Sequence, residues 1–335
     1  MNPLTRRTCL AAGLLLPWLP AASSPAVQTL KSSRALMGTA VDIVVQGAEP
    51  AALAAAVEAA HAEMSRLEGL MSRYRGTSLV SALHLASGLQ PVSMAPEAMS
   101  VLRQARRVSL DSEGAFDATI GAYSGWGFAP HQANMPAPAE IARERPLVDF
   151  RDLVLDEQAN TAFLRRRGMR VDLGGIAKLP ILEAGMGVLR RHGVRHAMVN
   201  GGGDVGVMGG SAAGPWRIGV RDPRAPARLL GVLALRDGWV ASSGDYERCF
   251  ERDGRRYHHI LDPRSGYPTA GPRGVVLVAG QAEAVNGLGA ATMVLGWRRS
   301  QALLAGRAAL AVERDGAIRT TAAWSRQPFT AARSL

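Results

Sequence analysis

Between Val171 and Pro268 the chain is cut into apolar runs of strand length by polar clusters rich in glycine. The clusters are Val171-Asp-Leu-Gly-Gly-Ile-Ala-Lys178, Asn200-Gly-Gly-Gly-Asp204, Ser242-Ser-Gly-Asp-Tyr-Glu247 and Tyr257-His-His-Ile-Leu-Asp-Pro-Arg-Ser-Gly-Tyr-Pro268. Such a pattern lets turns and side chains converge on a ligand while strands hold them still. Glycine permits positive φ and close backbone approach. Backbone amides in such turns can hold phosphate oxygens, and Lys178 can reach the same anion as a point charge.

The rest of the chain supplies helices and more short strands. Ala51 to Met71 places Leu53, Val57, Met64, Leu67 and Leu70 on one helical face. Leu79 to Leu85 predicts a short helix. Ala95 to Val108 predicts another, with Pro96 near its start and Glu97 in its first turn. Ile176 to Arg191 is helical in pattern, and Pro180 is tolerated there only in the first turn, where its missing N–H is harmless. Ala282 to Leu295 reads as a helix and Gln301 to Leu303 as part of a closing one.

Strands are predicted at Ala35 to Val45, His196 to Val199, Val205 to Met208, Trp216 to Val220, Leu229 to Leu235, Gly238 to Ser242, Gly274 to Val278 and Ala308 to Val312. Hairpins are predicted for Leu153 to Leu155 with Thr161 to Leu164, and for Tyr246 to Glu251 with Arg256 to Ile260 around Asp253-Gly254. The expected fold class is α+β, with mixed or antiparallel sheet and packed helices.

The 335 residues can bury a sizeable core, as one large domain or two intermingled ones. With 39 Lys and Arg against 28 Asp and Glu, the net charge is +11. The basic residues are spread along the chain, and aromatics make up only 5%. Nucleic-acid binding needs a basic stripe with stacking aromatics, so that class is excluded, while an anionic ligand fits the charge.

Residues 1–26 read as an export signal and 27–335 as one domain. Arg6 and Arg7 precede a short apolar run that ends in small residues, which resembles a twin-arginine signal cut between Ala22 and Ala26. The run is too short and too proline-broken for a good membrane span, so the mature chain is expected to have none. Export implies a periplasmic location. Of the two cysteines, Cys9 lies in the signal, which leaves Cys249 without an intrachain partner and reading as a buried or edge-strand thiol.

The ordered set Met37-Gly-Thr39, Ser72-Arg-Tyr74, Gly114-Ala-Phe-Asp117, Trp126-Gly-Phe128, Asp172 through Lys178, Asn200 through Asp204, Ser243-Gly-Asp-Tyr246, His258 through Pro263, Gly266-Tyr-Pro268 and Leu295-Gly296 resembles the ApbE family of FAD:protein FMN transferases. The resemblance implies an ApbE-like fold with an elongated FAD cleft between two subregions. It implies magnesium-assisted transfer of FMN from FAD to a Thr or Ser hydroxyl of an exported flavoprotein through a phosphodiester, with release of AMP. Acceptors in the family include subunits of respiratory flavoproteins and regulators of nitrous oxide respiration.

By the same resemblance, Met37, Tyr74, Ala115, Phe116, Asp117, Asp172, Lys178, Ile260 and Leu261 contact FAD. His259 is the first choice for the acid–base group. His258 and His259 alternate on a strand, so one must face away. Asp262 reads either as part of that chemistry or as a turn former before Pro263.

The sequence departs from the family at the metal motif. The family's metal-binding aspartate falls on Asn286 and its threonine on Ala290, with backbone ligands expected from Gly175 and Gly289. Magnesium prefers hard oxygen ligands and usually draws a carboxylate; Asn286 offers a neutral carbonyl and Ala290 offers nothing. Lys178 is followed by Leu179-Pro-Ile181 where the family has Gly-Tyr-Ala. An active transferase and an FAD-binding carrier or assembly factor are both compatible with these residues.

Overall fold

The structure is a computed structural model and describes residues 27–128 and 133–332; residues 1–26, read above as an export signal, lie outside them. The chain opens with β1 (Gln28–Leu36) and β2 (Thr39–Gly47), an antiparallel hairpin closed by Met37 and Gly38 at φ 54° and 67°. The pattern predicted one strand from Ala35 to Val45. A two-residue turn with both positions left-handed breaks it, and methionine gives no turn signal there. The Met37 N–H is held by Glu68 Oε1 at 2.9 Å, which helps fix this uncommon conformation.

Helix α1 (Pro50–Met71) starts on a proline and buries Leu53, Val57, Ala60, Met64, Leu67 and Met71 at helical spacing. Next come α2 (Leu79–Leu85), whose first turn is capped by Ser78 Oγ accepting from Ser81 N at 3.0 Å, β3 (Val92–Ser93) and α3 (Pro96–Asp111). Further along are α4 (Pro138–Glu144), the hairpin β4 (Leu153–Asp156) with β5 (Thr161–Leu164), and α5 (Lys178–Arg191).

The remaining elements are mostly strands. They are β6 (His196–Gly201), β7 (Asp204–Met208), β8 (Trp216–Asp222), β9 (Ala225–Leu235), β10 (Gly238–Gly244), β11 (Cys249–Arg252), β12 (Arg255–His258) and β13 (Gly274–Ala279). After them come α6 (Leu288–Leu295), β14 (Ala308–Val312), β15 (Ile318–Thr320) and β16 (Phe329–Ala331).

One eight-stranded sheet, in the order β1-β2-β6-β7-β10-β13-β14-β15, organises the molecule. All its pairings are antiparallel. It is the middle of three layers. Along β13, Val275 and Leu277 join the core formed with α1, α3 and α5, while Val276 and Val278 join a second core with Trp216, Ile218 and Leu233 of the small sheet β16-β9-β8. A strand buried on both faces sends alternate residues to the two cores, which is why it reads as an unbroken apolar run.

Helix α6 is shorter than its pattern. Gly287 at φ 76° interrupts helical geometry, so α6 begins at Leu288 and the preceding residues form turns. The closing helix predicted at Gln301 to Leu303 is a series of turns.

Candidate functional site

The glycine turns between β6 and β7 and the start of α5 meet at one place. Asp204, buried and first in β7, accepts from Ser242 N at 3.0 Å through Oδ1. Its Oδ2 lies 2.7 Å from Lys178 Nζ, the first residue of α5. The lysine is partly exposed, so its ammonium is held in position yet open to an incoming anion.

The two aspartates expected at the ligand are both engaged by the protein. Asp117 is buried; Oδ1 accepts from Thr119 N at 2.7 Å and Thr119 Oγ1 at 2.6 Å, and Oδ2 accepts from Phe150 N at 2.9 Å. Burial raises its pKa above the ordinary carboxylate value, and the three hydrogen bonds oppose that rise. This carboxylate ties the segment that follows α3 to Phe150, just ahead of β4. Asp172 Oδ2 lies 2.6 Å from Arg73 Nη1 and Oδ1 accepts from Gly174 N at 2.8 Å. The Asp172 N–H donates to Ala118 O at 2.7 Å, which ties the two aspartate loops together.

Ala115 and Phe116 are buried, and Phe116 closes on Gly175 so nearly that a side chain there would meet its ring at 3.2 Å. Tyr74 is 80% exposed, with the Arg73 guanidinium 5.3 Å from its ring centroid. An exposed aromatic beside a cation is free surface for a flat ring system.

The two histidines at the end of β12 face opposite ways. His258 is buried with Nε2 3.1 Å from Thr269 O. His259 is open to solvent, and its backbone N–H donates to Arg248 O at 3.1 Å. The His259 imidazole is nonetheless lowered to about 4, first by the protein mass around it, then by Arg248, His258 and Lys178. The ring's contact with water opposes that lowering. His259 is therefore neutral at pH 7.

Arg248 also donates to Gly38 O at 3.2 Å, beside Met37, which is partly buried. Arg248 thus links the Met37 turn to His259, and the charges of Arg248 and Lys178 both act on the His259 imidazole, an environment that suits an anion.

Ile260 and Leu261 are buried, and Leu261 makes an isolated bridge to Pro268. Asp262 Oδ1 accepts from Arg264 N at 2.9 Å, and its carbonyl accepts from Gly266 N at 2.8 Å, so this residue forms the turn. The turn is clamped by Tyr123 Oη donating to Pro263 O and Trp126 Nε1 donating to Gly266 O, both at 2.9 Å. The thiol of Cys249 is raised by burial, which disfavours the nucleophilic thiolate.

The magnesium ligands expected by resemblance do not make a ready cation site. The Asn286 side chain is buried and spends Nδ2 on Ile176 O at 2.7 Å and Gln104 Oε1 at 2.8 Å. Only Oδ1 remains for any ligand. Ala290 has no ligand atom, and Gly175 and Gly289 bring backbone alone. Thr292, two residues on, has its Oγ1 buried without a partner. Among the described residues, no cluster of three or more His, Cys, Asp or Glu could hold a metal ion.

Residues 37–312 match the ApbE family. The chain belongs to that family. It is 32% identical over 296 residues to the FAD:protein FMN transferase of Treponema pallidum, across 83% of this chain and 82% of that protein. It is 37% identical over 207 residues to the Klebsiella pneumoniae protein of the same description, a match that spans 61% of this chain and 64% of that one.

The ApbE fold is shared in full. The ApbE protein of Thermotoga maritima superposes with TM-score 0.82 at 30% identity, covering 90% of this chain and 99% of its own. The flavin transferase ApbE of Vibrio cholerae superposes with TM-score 0.79 at 26% identity, covering 90% and 100%. Arg73 and Asp204 lie within motifs of the sequence, but their pairings with Asp172 and Lys178 were not legible there. Gln104 and Arg248 belong to no motif and escaped the sequence reading, because their partners are distant in the chain.

Proposed function

We propose that this chain transfers FMN from FAD to a threonine or serine hydroxyl of an exported flavoprotein, such as a respiratory subunit or a regulator of nitrous oxide respiration, and releases AMP. The observation that carries this reading is the action of the Lys178 and Arg248 charges on a neutral His259, with Arg248 bonded to the Met37 turn, in a chain of the ApbE family. The acceptor hydroxyl oxygen attacks the phosphorus of the FMN half. The phosphoanhydride bond to the AMP half breaks, AMP leaves with that bond's electron pair, and a phosphodiester forms. The hydroxyl proton passes to the His259 imidazole, which is unprotonated and solvent-accessible. Lys178 and Arg248 offset the charge on the phosphates. Asp117 and Asp172 hold the loops against which FAD lies, with Met37, Tyr74 and Phe116 as ring-binding surface.

The setting proposed is the periplasm, reached through the signal at 1–26, with 27–335 as the working domain. Among the described residues no helix is long and apolar enough to cross a membrane. AMP released on incubation with FAD, Mg²⁺ and a threonine-bearing acceptor domain tests the reading; intact FAD after prolonged incubation with Mg²⁺ contradicts it. One observation favours a second reading, an FAD carrier or assembly factor: the amide of Asn286 stands where the family sets a carboxylate. Tight FAD binding without AMP would select it.

A further inference from the structure

The Asn286 amide donates to two acceptor oxygens, Gln104 Oε1 and Ile176 O. Gln104 Nε2 donates to Glu283 O at 3.2 Å, which turns Gln104 Oε1 toward Asn286. Ile176 O is a backbone carbonyl. Both oxygens therefore require hydrogen or positive charge from position 286, and the asparagine NH2 supplies two N–H donors. A carboxylate at 286 would bring an oxygen to within 2.7–2.8 Å of the same two oxygens. Oxygens packed that closely repel unless a cation lies between them; ligand oxygens around magnesium at 2.0–2.1 Å stand about 3 Å apart.

We infer that the Asn286 amide is a built-in substitute for a divalent cation, so that the polypeptide alone holds no such ion at this place and an ion enters only in company with the phosphates of FAD. The inference deepens the flavin reading by specifying the order of assembly. Gln104 is the residue that adapts the pocket to an amide: it lies on α3, 182 positions from its partner, and belongs to no motif. The departure at 286 is thus supported by its surroundings rather than a bare loss of a ligand.

The test is Mn²⁺ binding to the mature chain, followed by electron paramagnetic resonance with and without FAD, beside thermal melting in EDTA and in Mn²⁺. The wild type is expected to show no saturable Mn²⁺ uptake below about 1 mM without FAD, and an unchanged Tm. With FAD present, Mn²⁺ binds in proportion to the FAD bound. Asn286→Asp is expected to melt lower in EDTA by about 2–4 °C or more and to recover in Mn²⁺, because the new carboxylate needs the ion that the amide replaced. Saturable uptake by the FAD-free wild type overturns the inference, as does a melting point of Asn286→Asp indifferent to Mn²⁺, or FAD binding that brings no Mn²⁺ with it. The wild-type measurements decide the matter even if the variant fails to fold. A chain that binds no FAD at all contradicts the flavin reading instead, and leaves the FAD-free Mn²⁺ result to judge the amide.

Discussion

Lys178 Nζ lies 2.7 Å from Asp204 Oδ2, joining the first residue of α5 to the first residue of β7. The carboxylate is buried and the ammonium partly exposed. An exposed ion pair contributes about 0–1 kcal/mol, whereas breaking a buried one costs about 3–5 kcal/mol, because a charge is left behind. Lys178→Met leaves Asp204 buried without its cation and is expected to cost about 1–3 kcal/mol in urea unfolding, between those limits. Adding Asp204→Asn to that variant is expected to restore part of the loss. Additive losses in the double mutant would show that the pair does not couple.

His259 carries the pH dependence. Its folded pKa is lowered to about 4 from 6.5, so the fold favours the neutral ring. The associated stability is fully present above pH 6.5 and declines as pH falls toward about 4. Transfer that depends on neutral His259 is expected to be flat from pH 6 to 8 and to fall only below about pH 5. His259→Ala is expected to lower the rate by about 10²–10⁴-fold with little change in FAD affinity. A rate that keeps its wild-type value in this variant would remove the residue from the chemistry.

Arg248 is a cause of that lowered pKa, second only to burial. Arg248→Met is expected to raise the His259 pKa back toward 6.5, measurable by NMR titration of the imidazole, and to weaken FAD binding. An unmoved titration would mean that the guanidinium does not face the ring.

Helices were legible where apolar residues recur at helical spacing, as Leu53, Val57, Met64 and Leu67 do in α1. The β11–β12 hairpin was legible through Asp253-Gly254, both at positive φ in the structure. The β1–β2 hairpin was not, because Met37 occupies a left-handed turn position without turn chemistry. At the site, the motif residues name the elements that meet but not their pairings. Arg73 with Asp172, Lys178 with Asp204 and Asn286 with Gln104 are tertiary contacts that no spacing encodes. The same holds for Asp117, whose bond from Phe150 N crosses 33 positions, whereas the turn role of Asp262 was one of its two readings and is seen in its bond from Arg264 N.

Gly287 sets the start of α6 and with it the place of Asn286. Its φ of 76° disfavours any residue with a side chain, and a Cβ would meet Val108 Cγ1 at 3.2 Å. Gly287→Ala is expected to cost about 1–2 kcal/mol in chemical unfolding. A neutral result would mean that the turn relaxes freely, and that Asn286 is held by its hydrogen bonds alone.

The central claim is tested most directly by the intact mass of an acceptor domain after incubation with this protein, FAD and Mg²⁺. A gain of one FMN on a single threonine or serine, matched mole for mole by AMP and lost in His259→Ala, is the predicted result. An acceptor of unchanged mass, with FAD bound tightly and recovered whole, would contradict it.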